Sequence, residues 1–273
     1  MTPKQKFNKI CKDIKSVKIQ GAENIAKAGL EAYKIFPNKK SKKILLSLRP
    51  TEPMLANILN QADNISYKDL LKKLNENQNK INKEIFKLIK NNYIIFTHCH
   101  SSSVIQALIF TKKHKKNFEV YVTETRPLYQ GRKTSKELKF SGIKVTMFVD
   151  SAALIALTKE QDNEEKTRPV NLIFLGADAI TKKGIINKVG SGMYAELAKL
   201  NKIPFYIVSD SLKFTNKKIS FEQRSPNEVW SNKKIKILNP AFEFIPKKYI
   251  TGILSEFGIL KFDEFLKRVK NKN

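Results

Sequence analysis

Apolar positions over the first ninety residues recur at helical spacing. Ile10, Ile14 and Val17 share one face of a first amphipathic helix. Ile25, Leu30, Ala32 and Ile35 share one face of a second, after a break at Gly21-Ala22. The short apolar stretch 44–48 is the only strand signal in this region; Arg49-Pro50-Thr51 ends it, and Pro50 suits a helix start. Leu55, Ile58 and Leu59 follow at helical spacing. Residues 66–89 predict one long helix with a stripe of Leu70, Leu71, Leu74, Ile81, Ile85, Phe86 and Ile89. The expectation for residues 1–91 is a helical domain of about four helices, its last helix reaching the following domain.

After Asn91 the period shortens. Apolar runs at 93–97, 118–124, 144–149, 170–176, 205–209 and 235–238 alternate with helical stretches at 102–113, 135–140, 151–157 and 193–200. That alternation predicts an α/β class in which residues 92–273 form a Rossmann-like parallel sheet with helices on both faces. The stretch 161–166 (QDNEEK) reads as a polar loop and 267–273 as a frayed tail. In such sheets the carboxyl ends of the strands converge on one crevice, where ligands bind. Cys99 ends one apolar run (YIIFTHC) and Asp178 ends another (NLIFLGAD), so the two are expected to face each other across a pocket.

Charge complicates this picture without overturning it. The 273 residues carry a net charge of +27, which attracts polyanions. Yet 46 of the 52 basic residues are lysine and only six are arginine, the type that base readout and bidentate phosphate contacts favour. The lysines are spread along the whole chain, so a solvated surface explains them better than a specific nucleic-acid site. Two cysteines are too few for a disulfide framework, which fits a reducing cytoplasm. The N-terminus has no apolar leader, and no run of 18 apolar residues suggests a membrane span.

Local sequence leaves the chemistry open. Cys99 behind an apolar strand reads as a small core residue, or as a thiol activated by the helix that Ser101–Ser103 would cap. Its neighbours His98 and His100 would each point to the face of an extended chain opposite Cys99, so the three do not easily share one metal ion. Asp178 reads as a helix cap or an acid. Asn187 and Lys188 precede Gly190-Ser191-Gly192, a glycine-rich helix start suited to phosphate. Arg126 and Gln130 lie in a turn that Pro127 and Gly131 shape, and Lys213 lies just past another strand end.

Taken together, THCHSSS, VTETRPLYQGRKT, VDSAA, LGADAI, INKVGSG, DSLKF and NPAFEFIP, with IQGAENIAKAG and LRPT before them, carry a resemblance. The chain resembles the superfamily of translation initiation factor 2B subunits and sugar-phosphate isomerases, and within it the ribose-1,5-bisphosphate isomerase branch. The resemblance implies an aldose–ketose isomerase with Cys99 and Asp178 as its acid–base pair, a sugar-phosphate substrate and no cofactor or metal. It also implies a homo-oligomer, either dimer or hexamer. Substrate contacts carried over are Gly21, Ala22, Arg49, Asn187, Lys188 and Lys213, with Arg126 and Gln130 beside them. The resemblance leaves two alternatives, a non-catalytic regulatory subunit and a methylthioribose-1-phosphate isomerase.

One departure concerns substrate. The family's Arg-Gly-Ala-Gly phosphate loop is here Gln20-Gly21-Ala22-Glu23, which loses a cation and adds a carboxylate. Lys27, one helical turn on, is the expected compensation. On the chemistry the resemblance implies, a neutral Asp178 protonates the sugar ring oxygen and a Cys99 thiolate takes the proton from the adjacent carbon.

Overall fold

The computed structural model describes residues 1–158, 167–221, 223–232 and 234–271. The polar stretch 161–166 lies outside the described residues. Five helices open the chain: α1 (Pro3–Lys15), α2 (Ala22–Ile35), α3 (Lys39–Leu48), α4 (Pro53–Gln61) and α5 (Tyr67–Leu88). The number exceeds the expected four because the apolar stretch 44–48 is the end of α3 and not a strand. Asn38 caps that helix by accepting from the Ser41 amide at 2.9 Å, and the buried Ser41 and Leu45 are four residues apart on one face. Pro53, and not Pro50, takes the first position of α4.

α5 is the joint of the molecule. Its first half buries Leu70 and Leu74 in the core made by α1, α2, α3 and α4, whereas Ile81 and Ile85 pack into the core beneath the sheet. Between them the helix turns polar. Asn77 donates to Asp210 at 2.7 Å, and Gln78 donates to Asn82 at 2.7 Å and to the Ser103 carbonyl at 3.1 Å, all in buried surroundings. Each of these three side chains on α5 therefore has a partner, as it must if it is not to cost stability.

The sheet is built from β1 (Tyr93–Thr97), β2 (Phe118–Thr123), β3 (Lys144–Phe148), β4 (Leu172–Leu175), β7 (Phe205–Val208), β9 (Gly252–Ser255) and β10 (Gly258–Leu260). Their order is β10-β9-β7-β4-β1-β2-β3, and every neighbouring pair is parallel except the β9/β10 hairpin. α5, α6 (Ser102–Lys113) and α7 (Gln130–Phe140) cover one face. α8 (Ala153–Leu157), α9 (Ser191–Leu200) and α10 (Phe262–Lys270) cover the other. Between β4 and α9 the chain also makes β5 (Ala179–Ile180) and β6 (Gly184–Lys188), which join β8 (Phe242–Pro246) in a separate antiparallel sheet.

Several expectations need correction. The apolar run 235–238 is not a strand: Leu238 is 72% exposed, and strand structure resumes only at Phe242. β5, β6, β8, β9 and β10 were not anticipated as strands. Instead of fraying from Lys267, the chain remains helical to Lys270, because Phe265, Leu266 and Val269 anchor α10 to the sheet. α7 begins at Gln130, ahead of the expected 135. That early start brings Gly131 against β2, where an added Cβ would sit 1.7 Å from the Thr123 carbonyl oxygen. Gly131→Ala is expected to destabilise the fold by roughly 1–3 kcal/mol through overpacking. A urea midpoint unchanged by the substitution would show that α7 is free to shift away.

Candidate functional site

The strand order reverses between β1 and β4, and that reversal places the site. β1 leads out to β2 and β3 on one side, while β4 leads to β7 and β9 on the other. The loops leaving two such strands diverge and open a crevice at their carboxyl ends. Cys99 is two residues past the end of β1 and Asp178 three past the end of β4. The strands run in register, Phe96 against Ile173, and Thr97 Oγ1 donates to the Phe174 carbonyl at 2.8 Å.

Both side chains line one cleft, whose cavity volume is about 110 Å³. One wall comes from the helical region: Val17, Gln20, Gly21, Arg49 and Glu52. The opposite wall holds Cys99, His100, Gln130, Lys133, Asp178 and Lys188, joined by Leu128, Arg224, Ala241 and Phe242. Seven of the residues singled out by sequence therefore converge: Gln20, Gly21, Arg49, Cys99, Gln130, Asp178 and Lys188.

Cys99 is held by its backbone. It adopts φ 66°, a left-handed conformation uncommon outside glycine. Its amide donates to Thr125 Oγ1 at 3.0 Å, and its carbonyl accepts from Thr134 Oγ1 at 2.7 Å. Thr125 is fixed in turn by Asp150, which accepts from the Thr125 amide at 2.8 Å and from the Arg126 amide at 2.6 Å. His98 is structural: Nε2 donates to the Val189 carbonyl at 3.0 Å and Nδ1 accepts from Thr123 at 2.5 Å. Burial pulls its pKa down to about 4, so the ring is neutral. Gly176 lets the two loops close up, since a Cβ there would lie 2.6 Å from Ser101 Oγ.

Asp178 is positioned by the small sheet. Its amide donates to the Ile186 carbonyl at 2.9 Å, which locks the acid beside β6. The buried Asn187 completes the setting. With its amide nitrogen turned to the acid it donates to Asp178 Oδ2 at 3.3 Å and to the Gly176 carbonyl at 3.2 Å, while its oxygen accepts from Ser191 at 2.8 Å. Asn187 thus serves the acid from behind and does not line the cleft.

The other expected contacts lie elsewhere. Lys213 is buried but donates to the Ala177 carbonyl at 2.7 Å, one residue before Asp178, and is absent from the cleft wall. Arg126 is exposed and stacks with Tyr129. Ala22 is buried in the first turn of α2. Glu23 pairs with Lys27 at 2.6 Å and accepts from Ser102 at 3.4 Å, which keeps its carboxylate off the cleft wall and uses up the lysine expected to compensate for Gln20. Sequence reasoning missed Glu52, His100, Lys133 and Arg224 as wall residues. Glu52 and Arg49 carried a signal, being three residues apart with opposite charge, and His100 adjoins Cys99 in the chain; Lys133 and Arg224 reach the wall through the tertiary fold.

The thiol does not behave as its helix position suggested. Burial raises the Cys99 pKa to about 11; the Lys188 cation opposes that rise and the Asp178 carboxylate reinforces it. Desolvation outweighs the start of α6, so the resting residue is a thiol. Since the thiolate is the reactive form, alkylation of Cys99 by iodoacetamide should be slow at pH 7 and rise about tenfold per pH unit toward pH 11. Lys188→Met removes the opposing cation and should slow it further. Peptide mass spectrometry distinguishes Cys99 from Cys11, and rapid labelling of Cys99 at pH 7 would contradict this electrostatic picture.

The comparisons with known proteins agree with this architecture. A ribose 1,5-bisphosphate isomerase from Methanocaldococcus jannaschii is 33% identical over 291 residues, covering 90% of this chain and 89% of its own. A methylthioribose-1-phosphate isomerase from Carboxydothermus hydrogenoformans is also 33% identical, over 81% of this chain and 67% of its own. Among solved structures, the translation initiation factor eIF-2B of Pyrococcus horikoshii OT3 superposes with a TM-score of 0.80 at 26% identity, covering 93% of this chain and 96% of that one. The sequence profile of one family matches residues 60–262, and on that match the chain belongs to the Initiation factor 2 subunit family.

Proposed function

We propose that the chain is an aldose–ketose isomerase that converts ribose 1,5-bisphosphate to ribulose 1,5-bisphosphate, with Cys99 and Asp178 as its acid–base pair. The observation that carries this reading is the meeting of a thiol and a carboxylic acid in one cleft, next to the Lys188 ammonium. Phosphate on the anomeric oxygen blocks ordinary ring opening, so a proton must be delivered to the ring oxygen. Asp178 in its acid form gives that proton and the bond from the anomeric carbon to the ring oxygen breaks. The Cys99 thiolate then removes the proton from the neighbouring carbon and an enol phosphate forms. The thiol returns that proton to the anomeric carbon, while the hydroxyl on the neighbouring carbon loses its own to Asp178 and becomes the ketone. Both groups end as they began.

The resting pair carries its proton on sulfur, whereas the reactive form carries it on Asp178. Protonating Asp178 removes one of the charges that hold the thiol's pKa up, which favours the thiolate form of Cys99. Asn187 accommodates either form: nitrogen toward the carboxylate, or oxygen toward the acid once the amide turns. Lys188 faces the developing enolate and the anomeric phosphate, with Gln130 Oε1, buried and without a hydrogen-bond partner among the described residues, available to a sugar hydroxyl. Lys213 supports the acid indirectly by holding the Ala177 carbonyl.

The chain is further proposed to work as a homo-oligomer. Met147 on the edge strand β3 and the adjacent Val149 are about half exposed, at 47% and 54%, which suits contact with a second copy. The decisive experiment follows turnover of ribose 1,5-bisphosphate and methylthioribose 1-phosphate by ³¹P NMR. Cys99→Ser and Asp178→Asn should each lower kcat by about 10²–10⁴-fold, the range for loss of general acid–base catalysis. Turnover that survives either substitution unchanged would refute the acid–base assignment.

A further inference from the structure

Three neighbouring strands end alike. β1, β2 and β3 are parallel, and Cys99, Thr125 and Asp150 each stand two residues past the last residue of their strand. Each side chain accepts the amide at the same position on the strand before it. Asp150 Oδ1 takes the Thr125 amide at 2.8 Å, and Thr125 Oγ1 takes the Cys99 amide at 3.0 Å. Asp150 Oδ2 takes one amide more, from Arg126, at 2.6 Å. A carboxylate at the edge strand of the sheet thus lies two hydrogen bonds from the residue that bears the thiol.

This relay holds backbone that local sterics oppose. Thr125 has φ 63° and Cys99 φ 66°, both left-handed. For a β-branched threonine that region is costly, and it persists only where the surroundings over-determine it. Thr125 is fully buried; its hydroxyl donates to the Thr123 carbonyl at 3.3 Å and its carbonyl accepts from the Tyr129 amide at 2.8 Å. Asp150 does not line the cleft, and its charge works against the thiol. Burial dominates the raised Cys99 pKa; Lys188 and the His100 amide lower it, whereas Asp178 and Asp150 raise it. What Asp150 contributes to the site is therefore geometry.

We propose that Asp150 is a positioning residue, which sets the left-handed backbone of Cys99 through Thr125 and so aims the sulfur into the cleft. It touches no substrate. Its carboxylate accepts two successive amides at once, which no neutral side chain of that size does. Removing the charge should therefore separate two properties that otherwise move together: the thiol ionises more readily, and catalysis becomes poorer. A residue that acted only through its charge would improve both, and one that served only global stability would change neither at a temperature where the variant is folded. The inference rests on the proposed reaction for its kinetic consequence and not for the hold on the Cys99 backbone.

Asp150→Asn keeps the shape, removes the charge and turns one acceptor into a donor. It should lower kcat about 10–100-fold, as a small misplacement of a reacting group does, with KM within about twofold. Without substrate, its Cys99 should react with iodoacetamide at pH 9 about threefold faster or more than in native protein. Hydrogen exchange at the Cys99 amide should rise about tenfold or more, read by mass spectrometry. Thr125→Val should lose kcat to a similar extent, while Thr125→Ser, which keeps the hydroxyl, should stay within about threefold of native. In the double variant Asp150→Asn/Thr125→Val the loss should exceed that of the worse single variant by less than about threefold, since both break one relay. Thermal unfolding checks the fold of each, and Asp150→Ser repeats the measurements, with the same outcomes expected, if Asp150→Asn does not fold. Native kcat without Asp150, single losses that multiply in the double variant, or unchanged exchange at Cys99 would each overturn the proposal. If native protein turns over neither sugar phosphate, the reaction is refuted, and the exchange and labelling still decide whether Asp150 holds the thiol in place.

Discussion

The site depends on one lateral pairing, β1 beside β4. These two strands are adjacent in space and distant in sequence, and the short register from Ile95 to Phe96 against Leu172 to Ile173 fixes where each one ends. The Thr97 hydroxyl bonded to the Phe174 carbonyl extends that register to the last residues before the loops. A slip of one residue would reverse the alternation of side chains and turn either the thiol or the acid out of the cleft. Everything else at the site, from the left-handed Cys99 to the small sheet behind Asp178, refines a geometry that this pairing has already set.

Much of this was legible in the chain because buried parallel strands are continuous apolar runs. The runs 93–97, 118–124, 144–149, 170–176 and 205–209 each contain a strand, which ends at Thr97, Thr123, Phe148, Leu175 and Val208 respectively. The strands that were missed lack such runs. β5 is two residues long, and β6 carries Asn187 and Lys188 at its end, so its pattern is that of a loop. β9 and β10 are short and sit around a tight turn at Gly258. The opposite error, reading residues 44–48 as extended, arose because three apolar residues clustered at the end of a helix whose first turns are all lysine and serine.

The site shows the same division. Cys99 and Asp178 follow the ends of apolar runs, so their convergence was readable, whereas Lys188 is the last residue of the unanticipated β6 and was marked only by the glycine-rich helix start after it. Lys213 follows a strand end too, but its ammonium points to a backbone carbonyl, a choice made by the local turn and invisible in sequence. Glu23 looked like the disruptive acid because it interrupts a glycine-rich loop. Its neighbours dispose of it, and Glu52, in a less conspicuous position, holds the place on the wall. Helix position suggested a reactive thiolate, and burial reversed that, since the cost of desolvating a charge exceeds what a nearby helix start returns.

The continuous α5 has a mechanical consequence. Its first turns belong to the core that supports Arg49 and Glu52, and its last turns to the core that supports β1. A single rod thus spans the two banks of the cleft, without a loop between them to act as a pivot. Prying the banks apart would require bending a helix and parting Asn77 from Asp210, so the spacing between the two banks is held by the helix itself.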